Sequence, residues 1–411
     1  MMKLHKTIWR LTALMSAAVL VLAACAPAAT PAPTIQAATQ APVQAATQAP
    51  TQAPTQAPTQ AATQAATQAA TQASAPTGTA AATSSAPSGP VSLSTIKGFT
   101  LNPTIAADVS SGKTLVFYVS YHDVSNDFAP QIKAGVVAAS KDLGVNASMV
   151  GPVGANAQDQ ISQLEDLIQK GVDGLAISSA STDALAPEIN KALAEGIPVV
   201  TFNTDNPSSN RLAFVGQDLV HSGEIAGDLM AKYLNGSGTV IITTLDAGAQ
   251  WSIDRETGAR QALAKSPGIN IVQTLNTGTE PQGIYSNVEN AMLAHPDVTG
   301  LLSLECCSVT PDGLYVQRNN LKGKVQVVGF DTNPSTLQLI KDGYIDATIY
   351  QDPYTQGYDA VKLLNDFVQG KTIQSVDTGA VIVDNTNVDQ FLAQITTTPS
   401  TPPPTTVTPT P

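Results

Sequence analysis

Residues 325–334 read Val-Gln-Val-Val-Gly-Phe-Asp-Thr-Asn-Pro. Three β-branched valines ahead of Gly329 predict a buried strand. Asp331 closes it, Asn333-Pro334 turns, and Leu337, Leu339 and Ile340 open an apolar helical pattern. A carboxylate at the carboxyl end of a buried strand, just before a helix, sits where open α/β sheets place ligand groups. The same residue type also caps helices and starts turns, so this stretch alone leaves both roles open for Asp331.

Working outward, strands and helices alternate from Lys113 onward. Strands are expected at 114–120, 145–150, 174–178, 197–202 and 212–215, with helices at 130–143, 159–170 and 183–195 between them. Ile132, Val136, Val137 and Leu143 are the expected inward face of the first of these helices. A second series follows: helix 223–234, strand 239–245, helix 253–264, strand 269–275, helix 282–294, strand 298–304 and a helix from Pro311. After the opening stretch come a short helix near 335–342, a strand at 347–351, a helix at 354–369 and short strands near Val381. Repeated strand–helix units imply parallel sheets covered on both faces. Two such series, in a folded part longer than one core usually supports, predict an α/β fold of two doubly wound lobes with a cleft between them.

The flanks have a different character. Lys3, Lys6 and Arg10 precede an apolar run, Leu11–Leu22, too short for a comfortable membrane span. It ends in Leu22-Ala23-Ala24-Cys25, which looks like a bacterial lipobox, with Cys25 as the lipidated first mature residue. From Ala26 to about Pro90 the chain is Ala, Pro, Thr and Gln with near-repeats of TQAP and TQAA, a composition expected to form a flexible tether. The expected organisation is a leader at 1–24, a tether at 25–95, a first lobe at 112–216 plus 352–380, a second lobe at 217–351 plus 381–395, and a disordered tail at 396–411.

Charge and motif content exclude several classes. The chain carries 20 basic and 32 acidic residues, with no basic stripe suited to nucleic acid. No G-x-S-x-G elbow, H-E-x-x-H motif or P-loop is present, which speaks against an enzyme. Four histidines, one of them in the leader, leave little for a metal site, and no cofactor is implied.

The expected strand ends carry the chemistry. Tyr121-His122-Asp123 and Asn126-Asp127-Phe128 follow the first strand. Asn203-Thr204 follows 197–202, Glu305-Cys306-Cys307 follows 298–304, and Gln351 ends 347–351. Trp251 and Arg255 open a helix beyond the strand ending at Leu245. Planar bidentate side chains with aromatic faces suit a neutral polyol, with Phe128 and Trp251 as stacking surfaces. His122 is open between ligand contact and loop surface, whereas His221 reads as a helix start and His295 as part of a turn.

Here the chain resembles the type I periplasmic substrate-binding proteins of the ribose/galactose class. The resemblance covers roughly Lys113–Val388. It rests on the order and spacing of IPVVTFN at 197–203, FVGQD at 214–218 with Ile225-Ala226-Gly227, Arg255-x-x-Gly258, HPDV at 295–298, VVGFD at 327–331 and ATIYQ at 347–351. It implies lobes joined by a hinge that closes on a monosaccharide. It also implies a monomer held outside the cytoplasm, delivering its ligand to an ABC importer permease. The ligand set carried over is Asn126, Phe128, Asn203, Thr204, Arg255, Glu305, Asp331 and Gln351. Asn203 and Thr204 stand where ribose-type proteins often have aspartate and arginine, and Glu305 where asparagine is usual, which leaves the sugar's identity open. The alternative is a ligand-presenting receptor for a membrane sensor, or a binder of a polyol, cyclitol, nucleoside or furanosyl signal.

Cys306 and Cys307 complete the expected set. An exported protein meets oxidants, and with Cys25 lipidated these two have only each other as partners within the chain. A bond between adjacent cysteines closes a small strained ring and forces a tight turn. Its apolar sulfur face would pack on a sugar ring. The other reading is two reduced cysteines acting as small hydrophobes.

Overall fold

The computed structural model describes residue 87 and residues 89–396. The leader, Cys25, most of the expected tether and the tail beyond residue 396 lie outside the described residues. The first lobe opens with α1 (Pro103–Ser111), β1 (Val116–Ser120), α2 (Ala129–Leu143), β2 (Asn146–Val150), α3 (Ala157–Lys170), β3 (Gly174–Ile177), α4 (Thr182–Ala194), β4 (Val199–Phe202) and β5 (Phe214–Gly216). The second lobe holds α5 (Leu219–Tyr233), β6 (Ser237–Thr244), α6 (Gln250–Leu263), β7 (Gly268–Asn276), α7 (Pro281–Ala294), β8 (Gly300–Ser303), α8 (Cys306–Arg318), β9 (Gln326–Phe330), α9 (Pro334–Lys341) and β10 (Ala347–Tyr350). The chain then returns to the first lobe for α10 (Pro353–Val368) and β11 (Val376–Asp377), and ends in the second with β12 (Val381–Asp384) and α11 (Val388–Thr396).

Each lobe is a six-stranded sheet, ordered β11-β5-β4-β3-β1-β2 in the first and β12-β10-β9-β8-β6-β7 in the second. The first sheet is parallel throughout, β11 included. The second is parallel except for β12, which pairs antiparallel with β10. β12 enters from the hinge with no crossover helix to carry it to the far end of the sheet, so it runs away from the cleft. Central strands are apolar on both faces, as helix-covered parallel sheets require. Leu175, Ile177, Val199 and Phe202 are buried in one lobe, and Ile242, Leu302, Val328 and Ile349 in the other.

Several local expectations shift. Val137 is 57% exposed, one step off the stripe formed by Ile132, Val136 and Ala139. Packing begins ahead of residue 112, and at Val91 it reaches into the span 25–95 expected for the tether. Val91 exchanges backbone hydrogen bonds with Ile373, and α1 buries Ile105 while Asn102 donates to the Glu195 carbonyl. The helix expected from Pro311 starts five residues earlier. Proline reads as a first-turn residue, and Glu305 is not among the favoured N-caps, yet its side chain caps α8.

Glycines set the closest helix pairs. A methyl on Gly258 would overlap the carbonyl oxygen of Val220, and one on Gly223 would overlap that of Arg255. The backbones of α5 and α6 therefore touch, which holds the first turns of α6, with Trp251 and Arg255, against the cleft.

Candidate functional site

In both sheets the order 2-1-3-4-5 of the parallel strands places the switch point beside the first strand of the lobe, and ligand groups belong at carboxyl ends there. The observed strand ends converge as this rule requires. Tyr121, His122 and Asp123 follow β1, Asn203 and Thr204 follow β4, Leu245 and Asp246 follow β6, Glu305 and Cys306 follow β8, Asp331 follows β9 and Gln351 follows β10. All of these line one cavity with Asn126, Phe128, Ala155, Leu219, Trp251, Arg255 and Thr279. Ten of the eleven expected ligand residues are thus brought together. The exception is Cys307, which is not part of the lining. The free volume of this cavity is about 40 Å³, far below the several hundred Å³ of an ordinary small-molecule pocket. Larger hollows lie around the edge strand β2 and along the hinge. Both are open surface grooves that lack these convergent strand ends.

Asn203 and Asp331 hold positive φ values of 57° and 72°. Such backbones are uncommon outside glycine, most tolerable for Asn and Asp, and concentrate at functional sites. Asp331 is not the cap of α9; Asn333 is, accepting from Thr336 N–H. The Asp331 carboxylate is buried and accepts from Gln351 Nε2 at 2.9 Å. Burial pushes its pKa up to about 6, against the lowering pull of Arg255 and of the Gln351 bond.

Arg255 is 3% exposed. Its Nη1 donates to the Leu304 carbonyl at 2.8 Å and its Nη2 to Gln217 Oε1 at 3.3 Å, with the guanidinium 4.0 Å from the Phe330 ring centre. Burial lowers its pKa, opposed by Asp331 and Glu305. Its Nε is buried with no partner among the described residues, a donor left for something else in the cleft. Glu305 is more committed. Its two oxygens accept from the N–H groups of Cys307 at 2.6 Å and Ser308 at 2.9 Å, and from the Ser308 hydroxyl. Burial raises its pKa, and these bonds counter the rise.

On the first lobe, Ser178 links three groups. It meets His122 Nδ1 at 2.8 Å, donates to Asn203 Oδ1 at 3.4 Å and accepts from Thr204 N–H at 3.3 Å. His122 is buried, and burial lowers its pKa to about 4, so it is neutral at pH 7. Asn126 Oδ1 accepts from Phe128 and Ala129 N–H, shaping the entry to α2, while Phe128 lies over Tyr121 at 6.2 Å. Trp251 stacks on His122. His221 is the third residue of α5 and His295 caps the end of α7.

Two glutamines that the sequence reading passed over tie the site to the hinge. Gln356 accepts from Asn203 Nδ2 at 3.0 Å and donates to the Gln351 carbonyl at 2.8 Å and the Thr378 hydroxyl at 3.2 Å. Gln217 donates to the Gly379 carbonyl at 3.0 Å while accepting from Arg255. Both stand in helix-entry or crossing segments, where local sequence gives no signal of a partner over 150 positions away.

Cys306 and Cys307 are free thiols with sulfurs 2.9 Å apart. The tight turn expected at this pair is not formed. They are the first two residues of α8, and their backbone is helical because Glu305 caps it.

Two lobes, a hinge of three chain crossings at 217–218, 351–352 and 378–380, and a polar cleft at opposed strand ends define a solute-binding protein of the type I periplasmic fold. The chain belongs to the periplasmic binding protein domain family, whose profile matches residues 117–372, and within it to the ribose/galactose class. It is 27% identical over 289 residues to the xylose/arabinose-binding protein XylF of Sulfolobus acidocaldarius, covering 66% of this chain and 71% of that one. It is 27% identical over 287 residues to the ribose import binding protein RbsB of Bacillus subtilis, covering 69% and 92%. Among solved structures, an ABC transporter solute-binding protein of Burkholderia graminis in complex with D-arabinose is similar at 31% identity and a TM-score of 0.64, covering 66% of this chain and 96% of that one.

Proposed function

We propose that this chain captures a neutral monosaccharide between its lobes, outside the cytoplasm, and passes it to the permease of an ABC importer. The carrying observation is the convergence of Asn203, Asp331 and Gln351 from opposed strand ends with Arg255 from the first turns of α6, beside Trp251 and Phe128. Asp331 offers acceptor capacity and Arg255 Nε a spare donor, so neighbouring hydroxyls of one sugar satisfy both through charge-assisted bonds. Sugar-named relatives and a D-arabinose complex among similar structures support the ligand class. Asn126, Thr204, Glu305 and Cys306 line the same cleft and complete the proposed contact set. No catalytic role is proposed for any of them.

A thermal-shift screen against pentoses, hexoses, polyols and cyclitols tests the reading. A true ligand at a hundredfold over its dissociation constant adds about 2.7 kcal/mol of stability. No shift with any neutral sugar, alongside a shift with a nucleoside or a charged compound, overturns it. We further propose that Cys25 is lipidated and holds the chain at the cell envelope as a monomer. Cys25→Ser then moves it from the membrane fraction to the soluble fraction, and retention in the membrane counts against the anchor.

A further inference from the structure

We infer that Cys306 and Cys307 form a dithiol site for trivalent arsenicals, and that its occupancy excludes sugar from the cleft. The first observation is geometric. Both thiols are free, and their sulfurs stand 2.9 Å apart, close enough to bond to one three-coordinate arsenic. With a Glu305 oxygen they form the one three-donor cluster among the described residues, all within 4.8 Å of one another.

The second observation is chemical and selects the guest. A divalent cation here would face the positive end of α8 and the nearby Arg255, whose charge interacts with Cys306. The Glu305 oxygens are also engaged by N–H groups of the first turn. Two soft sulfurs without a free hard ligand suit a thiophilic centre that binds covalently and leaves no net charge. A trivalent arsenical does so. With an arylarsine oxide, Cys307, the half-buried thiol, attacks arsenic first and Cys306 closes the ring. Two S–H bonds break, two As–S bonds form, and the oxo oxygen leaves as water with both protons. Arsenic stays trivalent, and no oxidant or reductant is needed.

The third observation is position. Cys306 lines the cleft beside Arg255 and Asp331. It also belongs to the apolar cluster of the opposite lobe, with Tyr121 and Phe128, and Cys307 packs against that cluster. The pair therefore lies on the face where the lobes meet, reachable when they part. An aryl group fixed there blocks closure. This last step rests on the proposed sugar cleft, whereas the capture of arsenic does not.

The test uses the reduced full chain and phenylarsine oxide, with intact mass as the readout. One phenylarsenic per chain is expected, surviving a monothiol wash and released by a dithiol. Cys306→Ser and Cys307→Ser, each checked for an unchanged melting temperature, retain none. Absence of a monothiol-resistant adduct overturns the dithiol site, as does its persistence in either serine variant. A sugar identified by thermal shift, held at a hundredfold over its dissociation constant, slows capture about a hundredfold by depleting the open form. Equal rates with and without that sugar overturn the exclusion. Because capture is read in the absence of sugar, its failure is distinct from failure of the sugar reading.

Discussion

His122 and Trp251 stack face to face across the cleft, ring centres 4.6 Å apart and planes 15° from parallel. One follows β1 of the first lobe, and the other lies in the first turn of α6 in the second. At this spacing no sugar ring fits between them. The stack is a direct lobe-to-lobe contact that a ligand must separate or sit beside.

Trp251 is one of two tryptophans, and the other, Trp9, falls in the span 1–24 expected from the sequence to be a leader. In a chain without that span, tryptophan fluorescence reports on the cleft alone. Saturating sugar is expected to change its emission by separating the stack. Trp251→Ala is expected to abolish the signal and weaken binding by about 1–2 kcal/mol, the scale of an aromatic contact in a binding pocket. Unchanged emission at saturation would place the sugar away from this ring.

Affinity is expected to depend on Asp331. In the proposed complex, sugar hydroxyls donate to the ionised carboxylate, whose pKa burial pushes up to about 6 in the unliganded protein. Acidification through that value therefore weakens binding, by up to about tenfold per pH unit below it. Titration calorimetry from pH 8 to pH 5 checks this. Asp331→Asn should lose most of its affinity at pH 7 and flatten the profile. A steep profile in the variant would assign the titration to Glu305, whose pKa burial also raises.

Without ligand, two cleft residues pull stability in opposite directions over one pH window. Asp331 has a folded pKa raised from 3.8 to about 6, so its contribution is fully present below 3.8 and is lost as pH rises to about 6. His122 has a folded pKa lowered from 6.5 to about 4, so its contribution is present above 6.5 and is lost as pH falls to about 4. Each shift corresponds to about 3 kcal/mol, and the two nearly cancel in the native chain. Urea melts across pH 4 to 7 should show Asp331→Asn losing stability on acidification relative to wild type, and His122→Asn gaining it. Parallel profiles for all three proteins would show that neither shift exists.

Gly258→Ala tests how α6 is placed. The added methyl meets the Val220 carbonyl and must push α6 from α5. A cost of about 1–3 kcal/mol is expected, as for an overpacked contact. Sugar affinity should fall with it, because Arg255 lies on the displaced turn and loses its reach to the Leu304 carbonyl. Normal stability and affinity would show that the two helices separate freely.

The alternation of strands and helices, the two lobes and most of the cleft were legible in the sequence. A parallel strand announces itself by a short apolar run, and its carboxyl end is the next polar residue. Asn203, Asp331 and Gln351 could therefore be located without coordinates. Local pattern also marks a helix well where its cap is ordinary and poorly where it is not. Glu305 capped α8 unannounced, which turned the expected bend at Cys306-Cys307 into helix. The remaining features were decided by closure of the two lobes. The Asn203–Gln356 bond, the Arg255–Gln217–Gly379 chain and the His122–Trp251 stack join residues far apart in sequence. No propensity or period encodes such partners, because they meet only after both sheets have formed and the hinge has set the angle between them.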